Sequence, residues 1–536
     1  MKKYSYIFFL TCAMLGCEPY LDKTDPTATS FDEFYNTEED LRRVAYSSYL
    51  DVFTTRHVTQ LLFYMQDGKS DNAYSRVEGQ YHQRIANGNF SSVSPDFLYY
   101  YETHLKHLGR LNTFIANVDV PYVENEEVRQ RYKGILEGLR IWHYFVLTFR
   151  WANVPFHTEP ADLETALVAA TPKEEILEYL FTEGLAIANR LPKKEYERPD
   201  RYMFNQYSLK ALIMRYALYH EKYELAASLA KEIMDSGYYA LHPNYGALFQ
   251  YEACCSGNKE FIMHHDGDSR RLVASYSFED LGPHYRTGRG QSYVVPLKSL
   301  VDSYWTLQGE TIGESSMHTK RAYELNPSLN RDPRYRASIF GHGDTFASDT
   351  IPINIYNEDG PMYHKAERGS PSGYWFKKFV DEADAFRDNG RMDFGLLRYA
   401  EVLLTYAEAK IMQGQVDALA KDCINQVRRR AGLDMELADV TQGRYTAYNQ
   451  QQWIDLIRNE RRIEFAGEGL RYDDLIRWRV AETALNQPAL GHTREVNGTL
   501  ESIKIEDRSF KPHNYLWPFH ENSLKVNPGL KQNPGY

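Results

Sequence analysis

Glu460 and Glu464, in the segment Trp453 to Trp478 (WIDLIRNERRIEFAGEGLRYDDLIRW), are two carboxylates at i and i+4, and a carboxylate pair is what glycoside hydrolysis requires. Their spacing argues against that use. Residues four apart share one helix face at about 6 Å, whereas a glycosidase sets its two carboxyls on opposite sides of the scissile bond. Arg458, Arg461 and Arg462 stand beside them, and adjacent guanidinium groups keep a carboxylate ionised and deny it an acid's role. The segment therefore predicts a charge-paired structural helix. Cys254, Cys255, His264, His265, Asp266 and Asp268 are a second cluster of metal-ligating residue types, but their spacing fits no ligand signature. No G-x-S-x-G, Walker loop or H-E-x-x-H is present. The expectation is no catalytic residue, no metal site and no cofactor.

The elements that would carry any other site must come from 536 residues that are 43% hydrophobic and 25% charged, a globular balance that excludes disordered, collagenous and disulfide-scaffold chains. Forty-two tyrosines make an amphipathic ring, apolar with one wet edge, unusually abundant. The formal charge is −11, and −13 once Lys2 and Lys3 are removed with a leader ending at Gly16. Nucleic acid is an unsuited partner, because neutralising phosphates needs a net basic face. Of five cysteines, Cys12 lies in the leader, Cys17 at its end, Cys254 and Cys255 are adjacent, and Cys423 stands alone in a helical stretch. With no CxxC spacing, the fold must stand on packing.

Lys2 and Lys3 precede nine residues, Ile7 to Leu15 (IFFLTCAML), that span only about 14 Å as a helix. That is half of a membrane's hydrocarbon thickness and reads as a signal peptide. Leu15-Gly16-Cys17 resembles the lipobox of bacterial lipoproteins, with Met14 where Leu is more usual, and makes Cys17 the acylated first residue of the mature chain. No later stretch reaches eighteen apolar residues, and even Ile141 to Trp151 carries His143 and Arg150. The rest reads as a soluble body tethered to a membrane.

Residues 19–34 hold two prolines and no helical period, which predicts an extended tether. Helical blocks follow at Glu38 to Phe53, Tyr101 to Val118, Glu126 to Trp151 and Lys173 to Arg190. Two hairpins share one design. Gln206 to Ala240 carries Ala211, Met214, Ala217 and Leu218, a break near Glu221 and Lys222, then Leu225, Ala226, Leu229, Ala230, Ile233 and a stop at Gly237. Gly395 to Gly432 repeats it with Gly414 as the break, and the pairs resemble degenerate tetratricopeptide units. Between them, residues 241–394 are rich in Gly, Pro, Tyr, His and Asp without a long amphipathic helix, the kind of irregular segment where binding usually resides.

Trp453 to Trp478 closely resembles the RagB/SusD family of glycan-binding outer-membrane lipoproteins. So do Tyr515 to Tyr536 (YLWPFHENSLKVNPGLKQNPGY), Leu397 to Lys410 (LRYAEVLLTYAEAK), Leu300 to Glu310, Asp332-Pro333-Arg334 and Tyr20-Leu21-Asp22. The resemblance implies a mainly α chain: a tetratricopeptide-like superhelix of helical hairpins with a loop-rich insertion. It divides the chain into a leader (1–16), a lipidated tether (17–37), an N-terminal helical region (38–240), the ligand-binding insertion (241–394) and a C-terminal helical region (395–536). It further implies a lipid-anchored protein on the outer membrane, facing the cell exterior. Such a protein captures oligosaccharide or polysaccharide for a SusC-like TonB-dependent transporter, with no chemistry of its own. Peptide capture within the same family and a surface-anchored helical hydrolase are the alternatives. The ligand is expected to meet Tyr74, Arg76, Tyr81 and Asn89 in the first loop region, and Tyr285, Arg289, Tyr293, Tyr374 and Trp375 in the insertion. Trp305, Trp453, Trp478 and Trp517 lie in scaffold motifs and are expected in the core.

Overall fold

The computed structural model describes residues 34–53, 63–76, 81–162, 165–197, 200–201, 203–253, 258–265, 274–284, 288–347, 350–386, 392–432 and 438–536. The leader, Cys17 and most of the tether lie outside these residues, as do Cys254, Cys255, Asp266, Asp268 and Tyr285.

The body is a stack of antiparallel helices: α1 (Glu38–Phe53), α2 (Pro95–Ala116), α3 (Glu126–Trp151), α4 (Lys173–Arg190), α5 (Gln206–Tyr219), α6 (Tyr223–Asp235), α7 (Tyr399–Met412), α8 (Ala418–Gly432), α9 (Gln450–Glu464) and α10 (Arg471–Arg477). From α2 to α8 each helix packs on the next, and α7 also receives α9. The array is thus continuous in space between α6 and α7 although residues 236–398 separate them in the chain. Local sequence sets the helix starts. The Asn205 side chain accepts from Ser208 N, and Ser208 Oγ accepts from Asn205 N in return; Asn449 and Gln452 repeat this capping box before α9. The breaks are left-handed residues, Glu221 at φ 59° and Gly414 at φ 70°. Small residues let the helices close up: a Cβ added to Gly184 would come within 3.1 Å of Ile213. Among the described residues no helix is long and apolar enough to cross a membrane.

Four two-stranded antiparallel ribbons complete the chain. β1 (Ala73–Ser75) pairs with β3 (Val294–Pro296), β2 (Phe261–His265) with β6 (Phe394–Arg398), β4 (Ile339–Gly341) with β5 (Tyr374–Phe376), and β7 (Ala489–Val496) with β8 (Thr499–Glu506). β4, β5 and the segments around them bury a second apolar core of Tyr245, Phe249, Phe340, Trp375, Phe376 and Phe394, closed from the helical side by Ile463 and Ala466. Three details differ from the sequence expectations. α2 starts at Pro95, not Tyr101, because Pro at the first helical turn gives up an N–H that has no partner there anyway. Gly395 to Arg398 is strand rather than the start of a helix. The C-terminal region carries the β7–β8 hairpin, turning on Asn497 and Gly498, both at positive φ.

Between the two cores lies a buried charge network. Glu464 accepts from Arg334 (3.0 Å), Arg398 (2.7 Å) and Arg430; Glu460 accepts from Arg428 (2.9 Å) and pairs in charge with Arg334 at 2.7 Å. Glu260, Glu468 and Asp332 share the same arginines and Lys378, so five carboxylates meet five cations. Burial pushes the Glu464 carboxyl up, but Arg430, Arg398 and Arg334 outweigh it and hold the group well below the usual carboxylate range. α9 is therefore charge-paired as its sequence suggests, though not by the arginines beside it. Arg461 turns to Asp474 (3.0 Å), Arg462 to Asp71 (2.9 Å), and Arg458 lies over the Trp478 ring. Trp453, Trp478 and Trp517 are buried, and Trp305 is half-buried against the main core.

Candidate functional site

The β1–β3 ribbon joins two loops that are more than two hundred residues apart. Its register sets Tyr74 opposite Val295, and at its end Arg76 N donates to Tyr293 O (2.7 Å). The Arg76 guanidinium donates to Gln291 O (2.6 Å) and to Glu367 O, and lies 5.6 Å from the centre of the Tyr293 ring. Gln83 Nε2 reaches the Tyr74 hydroxyl at 3.4 Å, and Arg289 stands 3.9 Å from Glu279. Tyr74, Arg76, Arg289 and Tyr293 are half-buried: held by the fold, yet open at an edge. Apolar ring surface beside guanidinium, phenol and amide groups suits a ligand with C–H faces and a rim of hydroxyls. Gln83, Gln291, Glu279 and Glu367 join this cluster without any sequence signal of their own; only strand pairing shows that they meet.

The other expected contacts fall elsewhere. Tyr81 is fully buried, stacked on Tyr100 at 5.5 Å and set edge-on to Trp517, so it is core. Asn89 is exposed, but it precedes Phe90, whose ring lies near Tyr536, and none of its hydrogen bonds reaches the Tyr293 cluster. Tyr285 lies outside the described residues.

Tyr374 and Trp375 belong to β5, a strand covered on both faces, so neither ring is an exposed plate. Trp375 has 0% exposure, stacks on Phe340 at 5.7 Å and donates its Nε1–H to Ser292 Oγ (2.9 Å); Ser292 donates onward to Arg368 O (2.9 Å). It is a brace behind Tyr293. Trp375→Ala is expected to cost about 3–5 kcal/mol and to lower the thermal midpoint in calorimetry, as loss of a core indole does; an unchanged midpoint would show that the brace is dispensable. Tyr374, on the opposite face of the strand, lines a cavity of about 240 Å³ with Arg336, His342, Asp344 and His492. Among the described residues no group of three His, Cys, Asp or Glu is placed to hold a metal ion.

Residues 259–536 match the model of the SusD family. Over its whole length the chain is 25% identical to the whole of SusD-like protein P38 of Formosa agariphila, and 22% identical to SusD-like protein P25 of the same organism, across 98% of each chain. Among solved structures, it is similar to a SusD-like carbohydrate binding protein from Bacteroides fragilis (TM-score 0.80, 24% identity, 93% of this chain and 100% of that one). It also resembles a laminarin binding SusD-like protein (TM-score 0.67, 20% identity, 94% and 100%).

Proposed function

The chain belongs to the SusD family, and from that premise we propose that it is a glycan-capture protein whose ligand lies across Tyr74, Arg76 and Tyr293. The observation that carries this reading is the Tyr293 ring held against the Arg76 guanidinium at the open end of the β1–β3 ribbon. A pyranose stacks its C–H face on such a ring while Gln83, Arg289 and Gln291 bond its hydroxyls. Each hydroxyl exchanges water for protein, so affinity is modest. Similar solved structures described as carbohydrate binding and laminarin binding support this reading.

The protein releases what it captures unchanged. Glu460 and Glu464 are locked into arginine pairs in the interior and neither can protonate a leaving group. Chain sections follow the sequence reading: a lipidated tether at 17–37, helical regions at 38–240 and 395–536, and the insertion at 241–394 between them. Acylation at Cys17 holds the body on the outer membrane, facing outward, where it hands glycan to a SusC-like TonB-dependent transporter.

Electrophoresis through gels cast with plant, host and microbial polysaccharides tests the capture step. At least one polysaccharide should retard the protein without release of reducing ends; catalytic release of reducing ends would make it a hydrolase. The anchor is tested by metabolic labelling with a fatty acid, expected in the wild type and lost in Cys17→Ala.

A further inference from the structure

Lys69 is a cation without a counter-ion. It is buried, and its ammonium lies 5.0 Å from the Tyr472 ring centre, 5.6 Å from Tyr81 and 5.8 Å from Trp517. Among the described residues it makes no hydrogen bond and no ion pair; Asp473 and Asp67 act on it only through space. The rings supply cation–π attraction, which is worth about 2 kcal/mol when desolvated and falls short of the several kcal/mol that burying an ion costs.

Lys69 lies at the wall of a cavity of about 150 Å³ among α3, α5 and the segment leading into α10. The other charges on this wall are already matched. Arg150 pairs with Asp473, Arg215 grips Glu401 through two bonds of 2.7 and 2.6 Å, and Glu468 is held by Lys378 and Arg398. Arg150 also keeps a buried Nε–H with no acceptor. The remaining wall is mixed: Gln66, Tyr100 and Tyr216 bring polar groups, and Trp142, Leu212 and Met263 form an apolar side. The cavity therefore offers one uncompensated positive charge, one orphaned donor, an oily side and room equal to about five water molecules.

We propose that this cavity binds a short-chain monocarboxylate, the carboxylate meeting Lys69 and Arg150 and the alkyl tail meeting Trp142, Leu212 and Met263. A monoanion neutralises the site, and a tail of two or three carbons reaches its apolar side. A dianion would overcharge it. Without an anion, burial presses the Lys69 ammonium down to about 7, with Arg150 adding to the fall, so the free site loses its charge close to neutrality.

The test is calorimetric titration of the full chain with sodium propionate at constant ionic strength. Near pH 6.5, one-to-one binding is expected, with the neutral isostere propionamide at least about tenfold weaker. Propionate affinity should fall about tenfold or more toward pH 9 as Lys69 gives up its proton, and by a similar factor in Lys69→Met. No binding at about 20 mM propionate, equal binding of propionamide, a pH-independent affinity or an unchanged affinity in Lys69→Met would each overturn the proposal. Should Lys69→Met fail to fold, the propionamide and pH comparisons on the wild-type chain decide alone. Retention on polysaccharide is unaffected by either outcome, so this site and the Tyr293 cluster stand or fall separately.

Discussion

Glu464→Gln is expected to destabilise the protein by about 3–5 kcal/mol, the cost of breaking a buried ion pair from one side. The carboxylate has 0% exposure and accepts from Arg334, Arg398 and Arg430 at once. An amide of the same shape returns fewer acceptors and no charge, leaving five cations facing four carboxylates in a dry interior. Net stabilities of folded domains run to about 5–15 kcal/mol, so a single atom exchange removes a large share. The network also joins the helical array to the second core, since Arg334 and Lys378 come from the insertion while Glu460 and Glu464 sit on α9. Asp235→Asn is the control. Its pair with Lys231 is exposed on α6, and such pairs are worth less than about 1 kcal/mol. Urea unfolding monitored by circular dichroism compares the two, and equal midpoints would contradict a structural role for the network.

Acid is expected to have a comparable effect well before carboxylates titrate. Burial depresses His104, His143 and His220, His104 down to about 3, so all three stay neutral in the fold. His104 and His143 face each other through their Nδ1 atoms at 2.8 Å, an arrangement in which one donates and the other accepts, and which two imidazolium rings cannot make. The unfolded chain takes up protons from about pH 6.5, while the folded chain does not, so stability falls as pH drops below that value. Each fully buried histidine contributes about 1.4 kcal/mol per pH unit until its own folded value is reached. Asp67 works in the opposite direction. Burial raises its carboxyl to about 6, so the fold gains a proton there that the unfolded chain lacks, and Glu195 is raised too, but these carboxyls are outnumbered by the depressed histidines, among them His107 and His492 besides the three above. Glu464 and Asp71, both depressed, add to acid unfolding only below the ordinary carboxylate range. The thermal midpoint should therefore fall steeply between pH 6.5 and 5; a flat profile across that interval would sink the assignment.

Helix boundaries were legible wherever period and punctuation agreed. The hairpin of α5 and α6 carries Ala at its contacts, and Gly237 ends it; Gly414 breaks the next pair. Periodicity alone could not place the start of α2, because Pro95 in the first helical turn marks it, a signal that carries no period. It also passed over Asn497-Gly498, a local signal for the β7–β8 turn. The Glu460 and Glu464 pair was legible as structure, but their true partners, Arg334, Arg398, Arg428 and Arg430, come from three other segments that only the fold gathers. The same limit applies at the site. Tyr74, Arg76 and Tyr293 were recognisable as residues suited to sugar, and their meeting depends on strand register. Trp375 misleads for a physical reason: Tyr-Trp-Phe reads equally well as an aromatic platform or as a strand buried on both faces, and the neighbours that cover it, Phe340 and Ser292, are distant in sequence.

Affinity electrophoresis of Tyr293→Ala and Arg76→Ala beside the wild type tests the central claim most directly, on whichever polysaccharide retards the unmodified chain. Removing a stacking ring or the guanidinium that backs it should weaken retention about tenfold or more while leaving the thermal midpoint within a few degrees, because both side chains are only half-buried. Retention equal to wild type in both variants would place the ligand elsewhere on the molecule and contradict the assignment of this cluster.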